Sequence, residues 1–502
     1  PWVRGTFTPV TDSSVGVKQS ASADRHVDTT QIGGVQRQRV QVGGDALGEL
    51  AAVKATDPGA GAYGLVVRPL APAGGFAVDV QNLPALLGEN PQPDADAVAV
   101  RPIFPDYSTA WFGRQRVAVA KLLFDAVHRY ALDAYQWDTA TNAGGTVTHT
   151  PAVAAMAFSV PTTSGAYAKL RTHTVFRYQP GRSQRILITC WHADAGRSNQ
   201  VRRWGYFDDA DGVFFQLTNT TLALVRRTST GVEASEETVA QSSWNVDPMT
   251  GSGPSGVTLD LTKANLFEID IAWLGVGDVR VFVNRQLVHV FRNPNKIAGP
   301  YMRSGSLPLS YEVVNSGAAG SSGTAFYALC AAVFADGGWD ELGPAFVYPR
   351  SAQKTGISNA AFVPVMSLRP SALFGGVTNR IAIIPTLVRA ANETNRAAIG
   401  LVLDATLTGA TWAATPPSGS SVDVDEAATA YTGGTFVGTA FLPNTNDDAE
   451  INLADVFNYE TRLLRRGAFN PGSVTNTITL VAKSEAAGNT AIAGSLRWKE
   501  IR

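Results

Sequence analysis

The chain has 502 residues, 45% of them hydrophobic, with 22 Phe, 13 Tyr and 10 Trp, which is ample for several packed cores and unlike a disordered sequence. Its formal net charge is -1 and its isoelectric point about 6.7, a balance that argues against a duplex nucleic-acid binder, whose domain is ordinarily basic. No stretch reads as a signal peptide, and the longest apolar run, AFYALCAAVFA, is far below the ~18 residues of a membrane span, so a soluble chain made in the cytoplasm is expected.

Residues 1–100 are rich in Gly, Pro, Ala and Val, with strand-like pieces such as VQRQRVQV and AYGLVVRPL between Gly and Pro punctuation. These pieces are too short to enclose a core, so this extended N-terminal segment is expected to gain stability by packing on something else. Residues 101–350 read as one large β-sandwich. Alternating runs (SQRILITCWHA, RRWGYFDD, GVFFQLTN, TLALVRRTS, LFEIDIAWLG, DVRVFVN, QLVHVFRN, LSYEVVN, TAFYALCAAVFADG) recur about every 8–12 residues with turns between them. Val279, Val281 and Val283 share one face of a hairpin that turns at Asn284-Arg285, and Leu287, His289 and Phe291 share a face of its return strand. RVAVAKLLFDAVHRYALDAY breaks the pattern with helical spacing. After the YPRS break, residues 351–502 read as a second β-sandwich with a long polar loop, PPSGSSVDVDEAATAYTGG, and an alternating terminal strand, AIAGSLRWKEIR. The fold class expected is all-β.

Chemistry-bearing motifs are sparse. His26, His128, His149, His173, His192 and His289 form no metal-ligand spacing and read as structural. There is no GxSxG, no phosphate-binding loop and no GxGxxG opening a helix; the GVGDV stretch joins two strands. FDDADG, with Asp208, Asp209, Asp211 and Gly212, partly matches a calcium loop, yet it lacks the terminal Glu, and an Asp/Gly turn is the simpler reading. Glu268 and Asp270 lie two apart on one strand and share a face, which suggests a solvated face rather than an acid/base pair. No catalytic residue, bound metal or cofactor is expected. Cys190 and Cys330 lie in apolar runs and are expected as buried free thiols, with a disulfide left open.

Of the 41 basic residues, 9 are Lys and 32 Arg, a skew that fits protein interfaces as well as GC-rich coding. RYQPGRSQR (Arg177, Arg182, Arg185) and QVRRWGYF (Arg202, Arg203, Trp204, Tyr206) put arginines beside aromatics, the make-up of either an interface hot spot or a solvated face with cation–π contacts. Trp191, Trp204 and Trp339 are candidates for stacking on sugar rings.

The runs RRWGYFDDADGVFFQL, LALVRRTSTG, VAQSSWNVDPMTGSGPSGVTLDLTKANLFEIDIAWLGVGDVRV and PYMRSGSLPLSYEVVN, in that order, closely resemble a family of tailed-bacteriophage virion proteins, the tail-fibre or structural proteins. The likeness is densest over 170–350, and DTTQIGGVQRQRVQV and SLRWKEIR share it. It implies extended structure at Leu122 to Asp125, ahead of Trp137 and Asp138. At the Asn284-Arg285 turn this sequence departs from the family, where an acidic residue with Gly is commoner. The hairpin itself resembles those of laminin-G or concanavalin-like jelly-roll sandwiches, many of which bind glycans. The resemblance implies a non-enzymatic structural component of the virion, in the tail, baseplate or tail-fibre apparatus, with a capsid decoration or head fibre and a glycan-binding receptor module as alternatives. Implied partners are other virion proteins, further copies of the chain in a closed oligomer such as a trimer, and a host surface glycan, with no nucleic acid and no membrane insertion.

Overall fold

The computed structural model describes residues 119–414, 419–458, 464–469 and 476–502, together with the backbone of six short strands between Ser14 and Val67. The chain is all-β and divides into two compact units, Pro1–Arg116 and Val117–Arg502, so the first boundary lies 16 residues beyond the expected 100. In the first unit Ser14–Gln19, Ala23–Ile32 and Val35–Arg39 form an antiparallel sheet, and the backbone pairing of Gln41–Gly43, Leu50–Lys54 and Val66–Val67 forms another.

The second unit opens with a sandwich of one eight-stranded and one seven-stranded sheet. The first sheet runs in the order Gln286–Phe291, Val279–Val283, Asn265–Ile271, Ser183–His192, Gly323–Asp336, Ala155–Val160, Thr146–Thr150. The second runs Glu236–Ala240, Thr221–Arg227, Gly212–Thr218, Gln200–Phe207, Leu309–Asn315, Tyr167–Thr172, Trp137–Asn142. Strict alternation builds the core: along Ser183–His192 every second residue is buried, with Ile186, Ile188 and Cys190 inward and Leu187, Thr189 and Trp191 outward. Trp204 of the second sheet meets Phe267 of the first edge-on at 5.2 Å between ring centroids and stacks on Phe215 at 5.6 Å. Such contacts join the two sheets.

The segment with helical spacing contains a strand, Lys121–Val127. Gly323–Asp336 is 14 residues long, and Ala155–Val160 pairs with only its first half; Lys121–Val127 takes the second half of the same edge, from Cys330 to Ala335. Open backbone N–H and C=O groups on that edge outweigh the local helical preference.

The C-terminal part is a second pair of sheets, one of five and one of six strands. Its first strand is Ala345–Pro349, which pairs with Thr490–Ile501, so the expected boundary at 350 falls too late. The expected long loop also holds two strands, Val422–Asp425 and Ala430–Thr432; Val422 and Val424 are buried because Val422–Asp425 pairs with Val363–Pro370. Cys190 and Cys330 are both free, Cys190 buried and Cys330 half-buried.

The hairpin turns as its two-residue loop requires: Asn284 has φ 51° and Arg285 φ 70°, the left-handed pair of a type I′ turn. Asn284 Oδ1 accepts from the N–H of Leu266 at 2.9 Å and its Nδ2 donates to Asn265 Oδ1 at 2.8 Å, tying the turn to the next strand. A bulge at Val288 shifts the return strand, so Val288, His289 and Phe291 are the buried positions and Leu287, expected with them, is half-buried. Arg285 holds a left-handed backbone without the freedom of glycine, which costs about 1 kcal/mol. Arg285→Gly should therefore raise stability in urea unfolding by about that amount; a loss would show that the Arg285 side chain contributes more than its backbone costs.

Candidate interaction site

Three of the aromatic and arginine candidates, Arg202, Trp204 and Tyr206, lie inside the protein. Arg202 is 1% exposed and Trp204 and Tyr206 are 0% exposed, so none of them can serve as the surface contact that the sequence suggested. Their strand, Gln200–Phe207, is central in the second sheet, paired on both edges, and these alternate residues point between the sheets. The Tyr206 hydroxyl accepts from the Leu307 N–H at 3.0 Å and lies 3.0 Å from Gln184 Oε1. Arg202 donates to Gln200 Oε1 and the Ala325 carbonyl, both at 2.8 Å, to His192 Nδ1 at 3.3 Å and to Asp194. Burying a guanidinium without such partners would cost several kcal/mol.

Arg203 points to the outer face of the same sheet. It donates to Gln216 Oε1 at 2.7 Å and pairs with Glu312 at 3.4 Å, so it is largely spoken for. Arg177 donates to the Leu342 carbonyl at 2.6 Å and receives the Trp339 indole N–H on its own carbonyl at 3.4 Å, which packs Trp339 against the sandwich rather than leaving it as a free platform. Arg182 pairs with Asp340 at 2.6 Å. Trp191 differs from these: it lies on the outer face of the first sheet, half-buried, and stacks on Tyr327 with centroids 4.4 Å apart and planes 13° from parallel. Towards the other end of the same strand, Arg185 lies 5.3 Å over the Phe334 ring. Glu268 and Asp270 share that face as expected. Burial raises both carboxyls above the ordinary range, and the neighbouring Asp336 raises them further. They are thus half-buried rather than fully solvated.

The FDDADG carboxylates do not converge on a common point. Asp208 Oδ1 accepts from the N–H groups of Ala210 and Asp211 at 2.7 and 2.9 Å. Asp211 accepts from the Ser229 N–H, the Ser229 hydroxyl and the Arg303 N–H. Asp209 receives Arg171 in a two-pronged pair at 2.9 and 3.2 Å. The turn is held by protein donors, and among the described residues no group of three or more His, Cys, Asp or Glu could hold a metal.

Asp208 also helps to fasten the two sandwiches of the unit together, a role that sequence reasoning missed. Arg380, from the C-terminal part, reaches Asp208. Arg171 lies 4.6 Å over the Phe469 ring, and Asp138 Oδ2 accepts from the Ala468 N–H at 3.0 Å. Arg465 donates to Thr174 Oγ1. Between these fastenings lies a cleft with a cavity of about 220 Å³. The arginine pair at 465–466 was the only local signal, and arginines alone do not say which carboxylate they will meet.

No family model and no curated protein matches the chain. Among solved structures it is similar to the carbohydrate recognition domain of Emp47p, at 11% identity and TM-score 0.28, covering 42% of this chain and 94% of that one. It is also similar to a glycoside hydrolase family protein from Mycobacterium thermorestibile, at 8% identity and TM-score 0.31, covering 42% of this chain and 100% of that one. A carbohydrate esterase from Shiga toxin-encoding bacteriophage phi24B matches at 11% identity and TM-score 0.26, over 43% of this chain and 99% of that one. Likeness of this degree assigns no activity, substrate or partner.

Two buried histidines make stability depend on pH. Burial, and then the nearby His149, lowers His128 to about 4; burial, and then Arg202, lowers His192 to about 3. Both folded values lie below the ordinary 6.5, so the unfolded chain takes up more protons once pH drops under 6.5 and the folded state loses stability from there downward. At pH 5 the loss is about 2 kcal/mol per histidine relative to pH 7. Urea unfolding at the two pH values should show it, and His128→Phe, which keeps a ring against Trp137, should remove one share. Equal stability of the unsubstituted chain at both values would contradict the assignment.

Proposed function

We propose that this chain is a non-enzymatic structural component of a tailed-phage particle, in the tail or its adsorption apparatus. The observation that carries the reading is the fastening between the two sandwiches, Arg380 on Asp208 and Arg171 over the Phe469 ring. It ties the first sandwich to the C-terminal part through charge and ring contacts, as suits a part that is built to hold its shape. The sequence runs over 170–350 that resemble tail-fibre and structural proteins point the same way. In this reading the N-terminal unit attaches to the particle and copies of the chain close into a ring or trimer. Immunogold labelling of intact particles with an antibody against 351–502 should place gold on the tail. Gold over the head would replace this reading with a capsid decoration or head fibre, and unlabelled particles would remove the virion role.

A second reading, a glycan-binding receptor module, is favoured by one feature: the stacked Trp191–Tyr327 pair on an outer sheet face, the kind of flat apolar surface on which sugar rings pack. The purified protein should bind host cells and block adsorption, and Trp191→Ala should weaken both at least tenfold. Wild-type protein that does neither would exclude the receptor role.

A further inference from the structure

The cleft between the two sandwiches carries more positive charge than its carboxylates can neutralise. Arg177, Arg303, Arg380 and Arg502 line the 220 Å³ cavity, against two carboxylates, Asp208 and Asp211. Arg171, Arg465 and Arg466 line a smaller cavity that shares Asp208 and Arg380 with it. This concentration stands out in a chain whose formal net charge is -1.

The pairing can be followed group by group. Asp208 is taken by Arg380 and two backbone N–H groups. Asp211 is occupied by Ser229 and by the main chain of Arg303, not its side chain. Arg502 turns to Glu500 at 2.8 Å. The guanidinium of Arg303 is exposed and has no hydrogen-bond or ion-pair partner among the described residues. On the adjoining wall His173 is held below its ordinary value by burial and then by Arg465.

The remaining lining fits a sugar. Ser304 and Ser306, whose hydroxyl oxygens accept from backbone N–H groups, offer their O–H protons, and the half-buried Val175 and Ile381 offer an apolar wall for the C–H face of a ring. The cavity is smaller than the ~300–1,000 Å³ of pockets for drug-sized ligands, so it suits one saccharide unit rather than a polymer segment or a duplex. A guanidinium matches the paired oxygens of carboxylate and phosphate alike, and a concave site focuses its field on them.

We propose that this cleft binds an anionic saccharide unit, whose carboxylate or phosphate seats on Arg303 with its ring against Val175 and Ile381. The site goes beyond the virion reading and does not depend on where in a particle the chain sits; nor does it involve Trp191, on the outer face of the first sheet.

Calorimetric titration of the full chain with glucuronate, glucose 6-phosphate, glucose and inorganic phosphate tests it. At least one of the two sugar acids should bind at least tenfold more tightly than both glucose and inorganic phosphate, and which one it is tells carboxylate from phosphate. Arg303→Ala should weaken that binding about tenfold, the worth of one charge-assisted hydrogen bond, and Arg303→Glu should abolish it. The thermal midpoint of Arg303→Ala should match the unsubstituted protein, because the Arg303 side chain has no hydrogen-bond or ion-pair partner among the described residues and its main-chain bond to Asp211 is kept. Three results would overturn the proposal: no saturation by either sugar acid, unchanged binding in Arg303→Glu, or inorganic phosphate binding as tightly as both. Tighter binding of a short single-stranded oligonucleotide would reassign the cleft to nucleic acid. None of these outcomes bears on the immunogold result.

Discussion

Pairing of buried guanidinium groups is the constraint on which this architecture rests. Arg171, Arg202 and Arg226 are 1–2% exposed, and each is held by oxygen acceptors from other strands or loops. Arg202 joins the strand ends at His192 and Ala325 in the first sheet to Gln200 in the second. Arg226 gathers Glu233, Glu237 and Asn293 and lies 5.4 Å over Tyr301. Arg171 links Ser310 within its own sheet to Asp209 at a turn and to Phe469 in the C-terminal part. A buried ion pair is weak as a source of net stability, because desolvation offsets most of the attraction. It is strong as a selector of geometry: a sheet packed in another register would leave these charges buried and unpaired. That is a physical use for a chain with 32 Arg and 9 Lys, since the planar guanidinium serves several acceptors at once and stacks on rings.

The two faces of the first sandwich consequently do different things. The outer face of the second sheet is crowded by arginines, Phe214 and the fastening to the C-terminal part, and offers little free surface. The outer face of the first sheet keeps half-buried aromatics, with Trp191 on Tyr327 and Phe334 under Arg185. The first sandwich thus commits one face to internal fastening and leaves the other available.

Much of the fold was legible because strand alternation is a local signal. The strands of the first sandwich, the hairpin turn at Asn284-Arg285 and the all-β class follow from period-two patterning and turn chemistry. Lys121–Val127 was not legible from its spacing, because the vacant edge of Gly323–Asp336 lies about 200 residues away in sequence and only the assembled sheet exposes it. Leu287 was misplaced for a related reason: a single bulge residue, Val288, reverses the facing of the strand beyond it. The site was less legible still. QVRRWGYF reads the same whether its strand is an edge or a centre, and here it is a centre, which buries Arg202, Trp204 and Tyr206. Asp208, Asp209 and Asp211 form the Asp/Gly turn that the sequence favoured, whereas the arginines they meet were not legible.

By itself, then, the sequence determined which side chains share a face, where the chain turns, and that no motif for metal, phosphate or nucleophilic chemistry is written locally. Only the tertiary structure decided which faces are covered, which carboxylate meets which arginine, and which guanidinium is left over at Arg303. Alternation is set by backbone geometry over two residues, whereas burial and charge pairing depend on groups brought together from as far apart as Asp208 and Arg380, 172 residues along the chain.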